Sequence, residues 1–365
     1  MFVLANKKSC SIQFLLCAFL SNIQFVSPSV SAVFTERSDD VELYRFVYDA
    51  STRNIYVAAT GKIYSFSTAL KEESSLDLGP FPDNINCPYK VNEACGTQRT
   101  LTNFVPRTLL IDNQTRVLIT CSTLYYGSCF KVNLNNFSPI GYVYKPVIPN
   151  DEKKSFVAFV GPGINPEGVL YVGASYSTKG DYADYRNLVG FVSVRNLSLL
   201  EIARQEKDFA SRIDVLANMR ETFHVDFVSG FSYNGYAYFF AMHLDAKSVL
   251  ASYALRICEK DKTLQSFTEI SLECTVAGSR FSTLRDMTLG KLGRRLTDAL
   301  SVDPDAMFGA FTGAAGDAAV CVYSMKKVEE AFEKAVRDCF SGSGPTSTGP
   351  SYITGPRPCT KTVNF

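Results

Sequence analysis

Val117-Leu118-Ile119-Thr120-Cys121-Ser122-Thr123-Leu124-Tyr125-Tyr126-Gly127-Ser128-Cys129-Phe130-Lys131-Val132-Asn133-Leu134 reads as an antiparallel hairpin. Two short apolar runs rich in β-branched residues flank a loop of Ser, Thr, Tyr and Gly. A cysteine stands at the inner end of each run. Paired strands would bring the Cβ atoms of Cys121 and Cys129 to the separation of about 4 Å that a disulfide needs. A loop this short gives its bridge little unfolded-chain entropy to remove, so the bridge fixes a loop shape more than it stabilises a fold.

Outward from that hairpin the same unit keeps returning. A turn signal introduces a strand, a Gly-containing or polar turn follows, and a second strand answers it. Arg53-Asn54 introduces Ile55-Tyr56-Val57-Ala58-Ala59, then Thr60-Gly61-Lys62, then Ile63-Tyr64-Ser65-Phe66. Pro166-Glu167-Gly168 introduces residues 169–174, answered by 188–194. Asn234-Gly235 introduces residues 236–241, answered by 249–257. Asp303-Pro304-Asp305 introduces residues 307–311, answered by 319–323. The units recur at roughly 50 to 70 residues, against about 40 to 50 for a four-stranded propeller blade plus loops. Continuous apolar strands of this kind are buried on both faces, as the inner strands of stacked blades are. The prediction is an all-β propeller with a helical insertion near residues 283–340. Residues 283–300 and 326–339 read as helices, the latter with Val328, Ala331, Phe332, Ala335 and Val336 on one face. Residues 201–220 read as a short helix or ordered connector around Ile213 and Leu216.

Composition agrees. The chain is 46% hydrophobic and carries a net charge of +1, with 19 Tyr, 27 Phe and no Trp. Aromatic and β-branched richness favours strands. Charge this balanced calls for no nucleic acid and no acidic membrane as partner. The first residues read as a signal peptide, residues 1–32. Lys7-Lys8 form the basic region, residues 12–19 the apolar region, and Val30-Ser31-Ala32 the small-residue cleavage site. The apolar run is too short to span a bilayer. The expected mature chain, residues 33–365, therefore enters the secretory pathway and is extracellular or at the cell surface.

Cleavage after Ala32 removes Cys10 and Cys17 and leaves Cys87, Cys95, Cys121, Cys129, Cys258, Cys274, Cys321, Cys339 and Cys359. In a secreted chain these read as disulfides, and their odd number leaves one without a partner. The sequons at Asn113, Asn136 and Asn196 fit glycosylated surface loops. Reactive constellations are missing. The two histidines, His224 and His243, have no His or Cys at ligand spacing, so no metal or cofactor is expected. Asp181 and Asp184 are the one candidate carboxylate pair for a propeller glycosidase, and no acid–base partner accompanies them. The aspartate-box turns of such enzymes usually carry a Trp. No enzymatic activity is expected; a rigid, stapled, glycosylated scaffold binds other macromolecules through its loops and blade edges.

The chain resembles the sema domain of plexins, cell-surface receptors for semaphorins. The loop from Cys121 to Cys129 is similar to the plexin Cys-Gly-Ser-Leu-Tyr-Gln-Gly-Ser-Cys loop. Further likeness lies in Cys87 with Cys95, Val228-Ser229-Gly230-Phe231-Ser232, Arg256-Ile257-Cys258, Cys274-Thr275, the stretch 284–300, and Ala319-Val320-Cys321-Val322-Tyr323 leading to Cys339. The resemblance implies a seven-bladed propeller of which five to six blades are present here, and hence a truncated product, partial gene model or soluble form. It implies the pairings Cys87–Cys95, Cys121–Cys129, Cys274–Cys321 and Cys339–Cys359, with Cys258 left over because its plexin counterpart pairs beyond the present end. It implies a semaphorin as protein ligand, together with co-receptors, in cell and axon guidance. Carried over by position, the ligand meets residues 174–231, where Tyr182, Asp184, Tyr185 and Arg186 are the polar–aromatic candidates. A semaphorin-like ligand, or another receptor ectodomain built on the sema fold, is the alternative reading.

Overall fold

The computed structural model describes residues 3–5, 33–36, 38, 40–164, 167–206, 210–245, 247–276, 278–314, 316–342 and 350–354. The signal-peptide reading and Cys359 fall essentially outside them. The chain divides into two compact units, Met1–Asn84 with Gly96–Leu124 and Cys129–Tyr142, and Ile85–Cys95 with Tyr125–Ser128 and Val143–Phe365.

The first unit holds two four-stranded antiparallel sheets. One runs through Leu43–Asp49, Asn54–Ala59, Lys62–Phe66 and Glu72–Asp77 in sequence order. The other runs through Thr108–Asp112, Val117–Cys121, Cys129–Asn133 and Ser138–Val143. Second and third strands are almost wholly buried, because apolar side chains on both of their faces find cover. Cys121 lies directly opposite Cys129 in the register, and the two are bonded with Cα atoms 3.9 Å apart. An ion pair ties the two sheets together. Asp49, at the end of the first strand, takes the Arg116 Nη2 donor at 2.5 Å, and the carboxylate is fully buried. Ser51 and Thr52 hydroxyls also donate to Asp49, at 2.6 and 2.8 Å. Burial alone pushes this carboxyl up, but the bonds from Arg116, Ser51 and Thr52 outweigh it and hold the acid well below the usual carboxylate range.

The second unit carries three larger sheets. Phe156–Gly161, Val169–Ala174, Val192–Asn196 and Arg212–Val215 form one, with the short strand Ile353–Thr354 added on its outer edge. Val225–Tyr233, Tyr236–Leu244, Leu250–Cys258 and Thr268–Leu272 form the next. The last has three strands, Thr283–Lys291, Asp305–Thr312 and Ala318–Ser324. One core packs between the first two of these sheets around Tyr171, Phe227, Phe239 and Leu255. A second packs around Tyr238, Phe240, Met307 and Phe332. Phe332 comes from the helix Met325–Ser341, whose buried residues Met325, Val328, Phe332 and Ala335 keep the expected apolar stripe. Arg256 lies between the Tyr236 and Phe332 rings, 4.1 and 4.4 Å from their centroids, and so fastens helix to sheet.

Two expectations fail here. Residues 283–300 are not one helix: Thr283–Lys291 is a strand, and the helix is confined to Arg294–Leu300. The strand contains a bulge between Leu284 and Asp286, which inserts one residue into the alternation. Buried Leu284 and Met287 thereby stand three apart, the spacing of a helix face. The helical insertion near 283–340 is therefore two helices separated by two strands of a sheet. Within 201–220, likewise, the regular element is the strand Arg212–Val215, where Ile213 and Val215 alternate into the core.

Candidate functional site

Asp184, Tyr185 and Arg186 lie on a single helical turn, Ala183–Asn187, that buries none of its own residues, and Tyr182 immediately precedes it as the N-cap. Tyr182 and Tyr185 stand three apart and stack, with centroids 4.8 Å apart and planes 9° from parallel. Tyr126 meets both edge-on, at 6.0 and 5.5 Å. Tyr89 closes the group against Tyr185 at 4.7 Å. Four tyrosines thus form one cluster, of which Tyr89 and Tyr126 are buried and Tyr182 and Tyr185 half-buried.

Each member is held by local chemistry. Tyr89 sits in a loop closed by the Cys87–Cys95 bridge, and Glu93 of that loop accepts from the Tyr185 hydroxyl at 3.5 Å. Tyr126 owes its position to a left-handed turn: Tyr125, Tyr126 and Gly127 have φ of 50°, 59° and 86°. Such a backbone is unfavourable for two tyrosines. Tertiary bonds hold it, with Ser128 Oγ donating to the Tyr125 carbonyl at 2.7 Å and the amides of Val147 and Ile148 donating to the Gly127 carbonyl. The Tyr126 hydroxyl donates to the Ile85 carbonyl at 2.6 Å and accepts from the Tyr182 amide at 3.2 Å. Burial pushes this phenol up despite the Tyr182 bond. Gly180, at φ +80°, is required beside it, because a Cβ there would meet the Tyr126 hydroxyl at 2.3 Å.

Arg186 directs Nη1 to the carbonyls of Lys179 and Gly180. Lys179 in turn pairs with Asp151 at 3.1 Å. Asp184 is exposed, and so is Asp181; among the described residues neither has a hydrogen-bond or ion-pair partner. The structure therefore brings Tyr182, Tyr185 and Arg186 together with Tyr89 and Tyr126, and leaves Asp184 at the rim. His224 is exposed, and His243 stacks on Tyr253 at 3.9 Å. Among the described residues no group of three His, Cys, Asp or Glu could hold a metal ion, and no helix is long and apolar enough to cross a membrane.

Gly127 is the residue on which the Tyr126 turn hinges. A Cβ at Gly127 would stand 1.8 Å from the Ile148 carbonyl oxygen, a backbone atom that cannot swing aside. Gly127→Ala is expected to cost at least about 2 kcal/mol and to release the Val147 and Ile148 amides to hydrogen exchange; unchanged protection there would refute this account of the turn.

Cys274 and Cys321 form a third bridge. Among the described residues Cys258 is the free cysteine. Of the sequon residues, Asn113 and Asn136 are exposed. Asn196 is half-buried, its side-chain carbonyl accepting from Ser198 Oγ and the Leu199 amide. Sequence reasoning missed Tyr89 and Tyr126 as partners of Tyr182, since nothing local links positions so far apart. The signals present were Gly180 and the small loop between Cys87 and Cys95.

No family model matches the chain. It is similar to human Plexin-A4, with 26% identity over 335 residues, covering 82% of this chain and 17% of that plexin. Against zebrafish (Danio rerio) Plexin A3 the identity is 23% over 378 residues, covering 92% and 19%. The chain thus spans under a fifth of the length of these relatives. Among solved structures it matches the full extracellular region of Plexin A4 with a TM-score of 0.76 at 22% identity, covering 88% of this chain and 38% of that one. Drosophila Semaphorin 1a, extracellular domains 1–2, matches with 0.52 at 15% identity, covering 80% and 54%. The fold is accordingly the sema-type β-propeller. By sequence and by fold alike, this chain is similar to the extracellular sema region of the plexins.

Proposed function

We propose that this chain is an extracellular, plexin-type sema domain that binds a semaphorin, in guidance signalling, through the surface around Tyr182, Tyr185 and Arg186. The observation that carries the reading is the four-tyrosine cluster. Two of its rings are half-exposed on a turn with a buried aromatic floor beneath them, next to an arginine. Tyrosine and arginine on a pre-organised base are the composition of binding hot spots. The stapled loop from Cys121 to Cys129 supports the same reading, since it builds the turn that presents Tyr126. Secretion, removal of residues 1–32 and glycosylation at Asn113, Asn136 and Asn196 belong to this proposal. The better match to the plexin ectodomain than to Semaphorin 1a, 0.76 against 0.52 in TM-score, favours receptor over ligand.

The test is binding of the purified chain to a panel of immobilised semaphorin ectodomains. Tyr182→Ala combined with Tyr185→Ala is expected to weaken the productive pair by about 2 kcal/mol, roughly thirtyfold in Kd. Lys327→Ala, on the exposed face of the long helix, should leave binding unchanged. No affinity for any semaphorin, or equal affinity for the tyrosine variant with its circular dichroism intact, would reject the proposal.

A further inference from the structure

Tyr182 differs from Tyr126 and Tyr185 in its cluster. The hydroxyl of Tyr126 is bonded to Ile85 and that of Tyr185 reaches Glu93, whereas among the described residues the Tyr182 hydroxyl has no hydrogen-bond partner, and its ring is half-exposed. Asp181 precedes it and Asp184 follows two residues on. Both carboxylates are exposed, and neither is neutralised by an ion pair among the described residues. The turn that follows Tyr182, Ala183–Asn187, carries Asp184, buries none of its five residues, and lacks a side-chain cap at its start. A half-exposed phenol with a free hydroxyl, flanked by uncompensated acids, suits an enzyme that transfers a sulfuryl group. Such an enzyme must surround a polyanionic nucleotide phosphosulfate with cations, and the same field draws in an acidic substrate.

We propose that Tyr182 is a tyrosine O-sulfation site. In the transfer the phenol oxygen attacks the sulfur of the donor's sulfuryl group and a new O–S bond forms. The bond from that sulfur to the donor's phosphate oxygen breaks, the nucleotide bisphosphate leaves, and the phenolic proton passes to a base of the transferase. The product carries a fixed negative charge on the face proposed above to meet a protein ligand. The site itself stands on the geometry of residues 180–186; the effect of the charge on ligand binding rests on the docking proposal.

Purified chain is incubated with a tyrosylprotein sulfotransferase and a radiolabelled nucleotide phosphosulfate, then digested with trypsin. Cleavage after Lys179 and Arg186 isolates residues 180–186 as one peptide. The expected result is label and the mass of one SO3 group on that peptide. Both should be lost in Tyr182→Phe, retained in Tyr185→Phe, and reduced several-fold in Asp181→Asn. Tyr182→Phe removes only an oxygen that bonds nothing, so its fold survives to be tested. A peptide left unlabelled while an acidic control peptide is labelled overturns the site, as does label that persists in Tyr182→Phe. Phosphate in place of sulfate on the chain recovered from secreting cells overturns it too. An affinity for semaphorin that sulfation does not alter overturns the role given to the charge.

Discussion

Arg116→Ala is expected to destabilise the first unit by about 3–5 kcal/mol, because it strands a buried carboxylate. Asp49 is fully buried in its side chain, while Arg116 keeps a fifth of its own exposed. Removing the guanidinium leaves the acid with Ser51 and Thr52 alone. The pair also couples the turn after Leu43–Asp49 to the turn before Val117–Cys121, so both sheets should loosen together. The pH dependence has a definite sign. A carboxyl held below its unfolded value contributes stability that is complete above the unfolded value and is lost as pH falls through the folded one. The parent chain should therefore hold these turns in acid to a lower pH than Arg116→Ala does. Hydrogen exchange of amides 43–59, followed from neutral pH down to about 3, near the ordinary carboxylate range, is the measurement. A loss below about 1 kcal/mol would mean that the pair behaves like a surface ion pair.

Phe239→Ala should cost a similar amount, about 3–5 kcal/mol, in the second unit. Phe239 is fully buried among Phe159, Tyr171 and Phe227, at centroid distances of 5.3, 6.4 and 6.5 Å. Its neighbourhood is shaped for rings. A Cβ at Gly173 would meet Phe227 at 2.5 Å and Phe239 at 3.0 Å, so the glycine is the space into which they pack. The cavity left by alanine is lined by side chains from two sheets, neither of which can collapse without breaking its own ladder. Urea unfolding followed by tyrosine fluorescence reads the loss. A shift equivalent to less than about 1.5 kcal/mol, the cost of a tolerated volume-conserving swap, would show that this core is not close-packed.

How much of this was legible beforehand depends on whether the deciding interaction was local. Asn54–Ala59, Val169–Ala174 and Tyr236–Leu244 announced themselves as unbroken apolar runs behind turn residues, and each is an inner strand. The hairpin pairing Cys121 with Cys129 followed from spacing alone. Thr283–Lys291 was misread because a bulge reproduces helical spacing in a strand, and a bulge is set by the partner strand, which the local pattern does not contain. The Asp49–Arg116 pair spans 67 positions, and no local rule links the two. Similarly, Tyr182 and Tyr185 were named from the sequence only as contact candidates, and neither their stacking nor the floor supplied by Tyr89 and Tyr126 was legible there.

Asn136 stands in the turn between the third and fourth strands of its sheet, and Asn196 ends the third strand of another. Oligosaccharide attached at Asn136 would rise beside Ser138–Val143, the edge strand of its sheet, where unpaired backbone groups invite a foreign chain to add on. Sugar at that corner would act as a fence, keeping neighbouring molecules from zipping onto the rim of the sheet.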